Sequence, residues 1–167
     1  SMLIAAGLSS CNLFGQKGTM KMQSSERTVE TKNLLIYLGT IHQKGIMFGH
    51  HDDPVYGISW EGDADRSDVK SVCGDYPAVM SFDLGRIELG GDKNLDKVPF
   101  DKIRREILAQ YARGGMVSLS WHVDNPLTGK DSWDVSDTTV VSSVLSGGAN
   151  HQKFLGWLDK VADFMNS

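Results

Sequence analysis

Three short apolar segments of the chain are each followed directly by ionisable side chains. These side chains are His50, His51, Asp52 and Asp53 after residues 46–48, Asp83 after residues 78–82, and His122 and Asp124 after residues 116–121. Imidazole and carboxylate groups can coordinate a metal ion or form hydrogen bonds with a polar substrate. These residues are therefore the first candidates for a functional site.

The elements around these residues predict an α/β fold. Each apolar segment is short and continuous, as in strands that are buried on both faces of a parallel sheet. Helices are predicted over about 28–43, 67–73 and 99–113 and from about residue 150 onwards, with polar loops over 54–66 and 125–149. Ligand sites in such folds lie at the carboxyl ends of the strands, so the three polar clusters are predicted to converge.

Apolar stripes predict the buried faces of the two longer helices in the second half of the chain. The stripes consist of Ile103, Ile107, Leu108 and Tyr111 in one helix, and of Phe154, Leu158, Val161 and Met165 in the other. Because these residues recur at helical spacing, they are expected to face the sheet.

Length and composition exclude several classes of protein. The chain has 167 residues, which suits one domain but falls short of the roughly 200–250 residues of a complete eight-fold β/α barrel. The net charge of −4 argues against a nucleic-acid partner. No phosphate-binding loop, dinucleotide fingerprint or nucleophile elbow occurs, so no cofactor is expected.

A metal-dependent hydrolase is one alternative for the polar clusters. His50, Asp83 and His122 have side chains that suit zinc or manganese. Neighbouring residues of an extended segment point in opposite directions, so His50 and His51 cannot easily share one ion. The main interpretation therefore contains no metal, and the metal hydrolase remains an alternative.

Aromatic residues near the polar clusters suggest a carbohydrate ligand. Tyr56, Trp60, Trp121 and Trp133 lie in or beside the predicted loops. Flat apolar rings next to carboxylates and imidazoles suit sugars, which have C–H faces and hydroxyl rims. Packing within the strand is the alternative for Trp121, and Trp157 in the last helix is expected to serve packing or surface cover.

The two cysteines have different expected roles. Residues 2–10 form a short apolar run that ends in small residues before Cys11, which resembles the end of a bacterial lipoprotein signal. Residues 1–11 are therefore interpreted as a signal remnant with Cys11 as the lipidated residue, and residues 12–27 as a flexible tether. Any membrane contact is expected to occur only through this anchor, in the bacterial cell envelope or on a secreted protein. Cys73 is expected to be a buried free thiol.

At these motifs the sequence resembles glycoside hydrolase family 26, in particular its β-mannanases. The similar stretches are residues 45–50, 52–57, 67–70, 74–79, 83–85, 113–115, 120–126 and 147–151. Each stretch is a weak signal, but their order and spacing together are specific. The resemblance runs from about residue 28 to residue 167.

The resemblance implies a (β/α)8 barrel that cleaves β-1,4-linked mannan with retention of configuration. Such chemistry uses two carboxylates about 5–5.5 Å apart. In this family both are glutamates, at the ends of the fourth and seventh strands. The glutamates of this chain are Glu26, Glu30, Glu61, Glu88 and Glu106, and none of them ends a fourth strand. We therefore expect residues 28–167 to supply about the first three β/α units and no catalytic residue, with both glutamates beyond Ser167.

What the resemblance assigns to this chain is the rim of the site. His122 resembles a strand-end histidine beside the cleaved bond, and Trp133 resembles a loop aromatic that stacks on substrate. His50 and Asp83 resemble residues that shape the floor of the site, and Trp121 completes the expected binding set. Relatives in the family cleave xylan or mixed-linkage glucan, but the motifs favour mannan.

Two further expectations concern this chain by itself. Without the two glutamates it is predicted to bind glycan and not to hydrolyse it, either as part of a mannanase or as a non-catalytic binding module. Three parallel strands also have unpaired edges. Self-association, or a second chain that completes the barrel, is therefore expected.

Overall fold

The computed structural model describes residues 27–41 and 43–167. The described residues divide into two units, with the boundary between Met47 and Phe48. Cys11 with its predicted signal remnant lies outside the described residues, as does the predicted tether apart from Arg27. Within the described ranges, no helix combines the length and the apolar character that crossing a bilayer requires.

The described part of the first unit contains helix α1, Val29–Ile41, which matches the predicted first helix. Thr28 precedes it, and its hydroxyl oxygen accepts a hydrogen bond from the backbone N–H of Thr31 at 3.2 Å. This contact satisfies one of the N–H groups that the first turn of a helix leaves without a partner.

The second unit is built on a small parallel sheet. The strands are β1 (Gly49–His51), β2 (Tyr56–Gly57), β3 (Trp60–Glu61), β4 (Val79–Asp83) and β5 (Met116–Ser120). β1, β4 and β5 form one sheet in the order β1-β4-β5, and both pairings are parallel. β2 and β3 form a separate antiparallel hairpin within the predicted loop 54–66. The predicted parallel β/α arrangement is therefore present.

Helices lie between the strands of the sheet and after the last of them. They are α2 (Asp68–Cys73), α3 (Phe100–Ala112), α4 (Val140–Val144) and α5 (His151–Asn166), with a 3₁₀ turn at Ile87–Leu89. Ser67 precedes α2 and accepts a hydrogen bond from the N–H of Lys70 at 2.9 Å. Pro99 directly precedes α3, which thus starts within one residue of its predicted position. α4 lies in a segment predicted to be loop.

The core of the second unit surrounds β4. Met80 and Phe82 of this strand are fully buried, together with Ile103 and Ile107 of α3. Burial of each such side chain contributes about 1.5–3 kcal/mol of stability. This packing holds β4 in place as the central strand and thereby fixes the positions of the residues at its carboxyl end.

The first strand is displaced from its predicted position. Residues 46–48 were expected to be a buried strand, whereas Ile46 is 100% exposed and Phe48 is 61% exposed. Pairing with β4 starts at Gly49, which faces Val79, three residues after the predicted start of the strand. Because β1 pairs with β4 alone in the described part of the chain, an apolar run here does not guarantee burial.

Some predicted helix faces are also wrong in part. In α3, Leu108 and Tyr111 are exposed although Ile103 and Ile107 are buried. In α5 the buried side chains are Trp157, as expected from its packing role, and Phe164, which lay outside the predicted stripe.

Cys73 is an exposed free thiol, contrary to the expected burial. Its helix, α2, has only six residues and buries none of them. The Cys73 thiol instead donates hydrogen bonds to the backbone carbonyls of Val69 and Asp75 at 3.3 and 3.4 Å.

Candidate functional site

A cleft of about 380 Å³ opens at the carboxyl ends of the parallel strands. It is lined by His51, Asp83, Arg86, Leu95, Asp96, His122, Asp124, Asp131, Ser132 and Trp133. His51 comes from β1, Asp83 from β4, and His122 and Asp124 follow β5. Side chains from all three predicted polar clusters therefore reach one cleft, because parallel strands end at the same edge of the sheet.

Asp83 and His122 form the best-defined pair in the cleft. The Nδ1 atom of His122 lies 2.5 Å from Oδ2 of Asp83, and the Ser120 hydroxyl donates to the same oxygen at 2.6 Å. Burial raises the pKa of Asp83, but hydrogen bonds from Ser120, His122 and the N–H of Gly85 outweigh burial and keep that pKa below its ordinary value. Asp83 is therefore a charged, fixed acceptor that orients the imidazole of His122.

The turn after β4 requires glycine at position 85. A Cβ atom on Gly85 would lie 2.3 Å from Cδ2 of Leu95 and 2.7 Å from Oδ1 of Asp83. The N–H of Gly85 donates to that same Oδ1 at 2.6 Å. Gly85 is thus part of the support for the carboxylate, since only a residue without a side chain allows this approach.

Trp133 presents an open aromatic face beside His122. The two ring centroids are 6.2 Å apart with planes inclined by 27°, and Trp133 is 78% exposed. Its backbone N–H donates to the Asp131 carboxylate at 3.1 Å, which fixes the local turn. An exposed indole in a defined position is suited to stacking on a ligand.

Asn125 and Asp134 organise the loop that carries Trp133. The buried amide of Asn125 accepts hydrogen bonds from two backbone N–H groups and donates to the carbonyl of Asp134 at 3.2 Å. Hydrogen bonds from Thr128 and Ser136 lower the pKa of Asp134 to about 2. The loop is therefore built by its own polar contacts, although its sequence resembles an unstructured polar segment.

Glu88 positions the segment that follows β5. Its carboxylate accepts hydrogen bonds from Nε1 of Trp121 at 2.8 Å and from the backbone N–H of Asp124 at 2.7 Å. The ring of Trp121 stacks on Phe154 of α5 at a centroid distance of 5.9 Å. Trp121 is therefore not among the residues that line the cleft, and its ring packs against a helix.

Asp124, whose backbone N–H is held by Glu88, lines the cleft with its side chain. Burial raises the pKa of Asp124, and the negative charge of Glu88 raises it further. A carboxyl group with a raised pKa retains its proton to higher pH than an exposed aspartate does.

His50, expected in the floor of the site, does not line the cleft. Its Nδ1 lies 2.9 Å from the carbonyl of His51 and 3.9 Å from the carboxylate of Asp53. The neighbouring His51 lines the cleft instead, because successive residues of a strand alternate between its faces.

Asp53, in the predicted polar cluster after β1, has a structural role. This buried carboxylate accepts hydrogen bonds from the hydroxyl of Ser67 and from the N–H of Val69 at 3.3 Å. Asp53 thereby ties the end of β1 to the first turn of α2.

Sequence reasoning missed three charged residues of the cleft. Arg86, Asp96 and Asp131 lie in loops and do not follow a strand directly. Arg86 lies three residues after the end of β4, and this closeness to a strand end is the one feature of the sequence that could have placed it in the cleft.

The residues proposed for a metal site do not assemble. Among the residues that the structure describes, no group of three or more His, Cys, Asp or Glu side chains could hold a metal ion. Asp83 and His122 bond directly to each other, and His50 lies outside their cleft. The three residues named for the metal alternative therefore do not form one cluster in the described part of the chain.

Comparison with known proteins shows the family. Residues 23–167 match the model of glycosyl hydrolase family 26. The chain belongs to glycosyl hydrolase family 26. The resemblance seen in the sequence motifs is thereby confirmed, and the three-stranded parallel sheet with its helices is consistent with this family.

Individual family 26 proteins give a more detailed comparison. A family 26 β-mannanase structure from Bacteroides ovatus is 67% identical with a TM-score of 0.80, over 83% of this chain and 40% of that one. An endo-β-1,4-mannanase structure from Cellulomonas fimi is 33% identical with a TM-score of 0.62, over 82% of this chain and 31% of that one. A mannan endo-1,4-β-mannosidase from Bifidobacterium adolescentis is 30% identical over 93% of this chain and 16% of its own length. The chain thus spans less than half the length of each of these relatives.

The support that Glu88 provides leads to a stability prediction. In Glu88→Gln the side chain keeps only one acceptor oxygen for two donors, so either Trp121 or the Asp124 N–H loses its partner. We expect the free energy of unfolding to fall by about 1.5–3 kcal/mol, measured by urea denaturation. The matched control is Glu106→Gln, which removes only the 3.8 Å ion pair with Lys102 and should change stability by less than about 0.5 kcal/mol. Equal stability of the two variants would contradict the role assigned to Glu88.

Proposed function

We propose that this family 26 chain forms the glycan-binding rim of a retaining endo-β-1,4-mannanase. The observation that carries the proposal is the Trp133–His122–Asp83 arrangement at the carboxyl ends of the parallel strands. In this proposal β1, β4 and β5 are the first three strands of a (β/α)8 barrel. The relatives with which this chain was compared are β-mannanases. We therefore propose mannan as the ligand, and not the xylan or mixed-linkage glucan that other family members cleave.

The proposed binding mode uses the two sides of a sugar ring. The open face of Trp133 packs against the apolar C–H face of one residue of the polymer. His122, fixed through Nδ1 by Asp83, presents Nε2 for a hydrogen bond to a sugar hydroxyl. Because the buried carboxylate of Asp83 already holds the His122 ring in place, binding a ligand costs less side-chain entropy.

Hydrolysis requires further groups. A retaining mechanism uses two carboxylates about 5–5.5 Å apart, one as acid/base and one as nucleophile. Glu61 and Glu106 do not line the cleft, and the carboxylate of Glu88 is occupied by two hydrogen bonds. We therefore propose that the 167-residue polypeptide binds mannan without cleaving it.

Binding and hydrolysis can be tested with the purified polypeptide. We expect retarded migration in native gels that contain galactomannan, and less retardation in gels with soluble xylan or mixed-linkage glucan. Trp133→Ala should weaken binding about tenfold, as expected for loss of a stacked aromatic ring. Tyr111→Ala is the control, because Tyr111 is an exposed aromatic residue on α3 that does not line the cleft.

Two results would contradict this proposal. Unchanged mobility in galactomannan would contradict binding. Release of reducing ends from mannan by the purified polypeptide, abolished by Asp124→Asn, would show that cleft aspartates alone support hydrolysis.

We further propose that the protein is lipid-anchored in the bacterial envelope through Cys11. The apolar run and small residues before Cys11 support this proposal. Metabolic labelling of producing bacteria with a fatty-acid alkyne should label the protein, and Cys11→Ala should abolish labelling while Cys73→Ala retains it. Labelling that persists in Cys11→Ala would exclude this anchor.

A last proposal concerns association. In the described part of the chain, β1 and β5 each pair with β4 alone, and Phe48 and Val72 are exposed. Open strand edges and exposed apolar side chains favour pairing with another chain. Light scattering after size exclusion should give a mass above the 18.3 kDa of one chain. A monodisperse monomer would show that this surface is stable without a partner.

A further inference from the structure

Asp52 is a buried acid that the proposed binding mode does not use. Its residue is 1% exposed, and within the described part of the chain its Oδ1 atom has no hydrogen-bond partner. Its other oxygen, Oδ2, accepts a long hydrogen bond of 3.4 Å from the Tyr56 hydroxyl. Buried polar atoms nearly always have a partner, so an exception needs an explanation.

The position of Asp52 is unfavourable in two further ways. Its backbone φ of 54° lies in the left-handed region, which residues other than glycine adopt uncommonly, although aspartate does so more often than most. Burial raises the pKa of Asp52 to about 6, against the opposing effect of His51. Folding alone does not require these costs, because an uncharged side chain of similar shape would avoid the burial of charge.

Asp52 contacts a residue of the cleft directly. Oδ2 of Asp52 lies 3.0 Å from Nε2 of His51, whose ring lines the cleft and whose side chain is 46% exposed. Asp83 and His122 have the same relation on the neighbouring strands, since a buried carboxylate there contacts a partly exposed imidazole. The cleft is thus lined by two imidazoles, and each has a buried aspartate behind it.

We propose that Asp52 is a positioning residue that holds the imidazole of His51 towards the cleft, so that His51 and His122 together bind the hydroxyl groups of the glycan. This inference rests on the proposed glycan-binding function and adds His51 and Asp52 to it. Asp52 acts through His51 and does not itself touch the glycan.

The proposal predicts a specific pH dependence. The groups that act on Asp52 are His51 on β1, Tyr56 on β2, Asp83 on β4 and Asp96 in the loop before α3. Above about pH 6 Asp52 is charged and attracts the His51 ring, whereas below about pH 6 it is neutral and the attraction is weaker. Glycan affinity should therefore fall as the pH is lowered through 6.

The experiment is a calorimetric titration of the 167-residue chain with mannohexaose between pH 5 and pH 8. We expect wild-type affinity to be about three- to tenfold higher at pH 7.5 than at pH 5. Asp52→Asn should reduce the affinity at pH 7.5 to the level that the wild type has at pH 5. It should also remove the part of the pH dependence that comes from ionisation of Asp52. In a His51→Gln background, Asp52→Asn should cause no further loss. Asp65→Asn is the matched control, because Asp65 contacts Lys70 and Tyr76 and does not line the cleft.

Stability separates positioning from a merely structural role. Because burial raises the pKa of Asp52, the charged form opposes folding once the pH rises from about 4 to about 6. Asp52→Asn removes this buried charge, so its thermal midpoint at pH 7.5 should be equal to or above that of wild type. Weaker binding without lower stability supports the positioning role. Weaker binding that accompanies a lowered midpoint overturns it.

Two other results would also overturn the inference. The first is an Asp52→Asn variant that binds mannohexaose like wild type. The second is an equal loss of affinity on Asp52→Asn with or without His51. If wild type binds no mannohexaose at any pH, the proposed function fails, and NMR then tests the His51–Asp52 contact alone. Ring ¹⁵N shifts of His51 that change in Asp52→Asn, while those of His151 do not, support the contact; unchanged His51 shifts refute it.

Discussion

The carboxylate of Asp83 is the contact on which the candidate site depends. Asp83 is the last residue of the central strand β4, and its side chain is buried. The carboxylate contacts the Ser120 hydroxyl, the His122 ring and the Gly85 N–H at the same time. The backbone carbonyl of the same residue accepts a hydrogen bond from the Asn94 amide at 3.0 Å. One residue therefore connects the end of β4, the end of β5 and the loop that leads to α3. A buried charge is tolerated here because its oxygens are satisfied by several donors.

Buried acids have the same structural use elsewhere in the second unit. Asp53 joins the end of β1 to α2, and Glu88 joins the 3₁₀ turn to the segment after β5. In both cases the carboxylate bonds to at least two donors. Asp52 differs, since one of its oxygens has no partner in the described residues and its pKa is raised to about 6. The contrast with satisfied neighbours is what makes Asp52 a candidate for function and not only for structure.

The sequence predicts the frame of this site better than its lining. Apolar segments and helix boundaries locate β4, β5, α3 and α5 to within a residue or two, because burial and capping act locally. Whether His50 or His51 faces the cleft depends on the register of β1. The apolar residues 46–48 led to the prediction of a strand that ends before both histidines, so the sequence did not give this register. Trp121 and Trp133 also look alike in the sequence. Their different environments arise from tertiary contacts, namely Phe154 and Glu88 for Trp121 and open solvent for Trp133.

The charge of the cleft bears on the glycan that we propose as its ligand. Asp83, Asp96, Asp124 and Asp131 line it, and Arg86 is the one arginine or lysine among its lining residues. Clustered carboxylates in a cleft produce a negative potential that repels anionic ligands and acts before contact. A polymer of uronic acids would meet this repulsion, and Arg86 alone could not offset it. A neutral polymer such as mannan would meet carboxylate acceptors for its hydroxyl groups and an indole face for its C–H groups. The charge of the cleft and the exposed indole thus both suit the neutral glycan that we propose as its ligand.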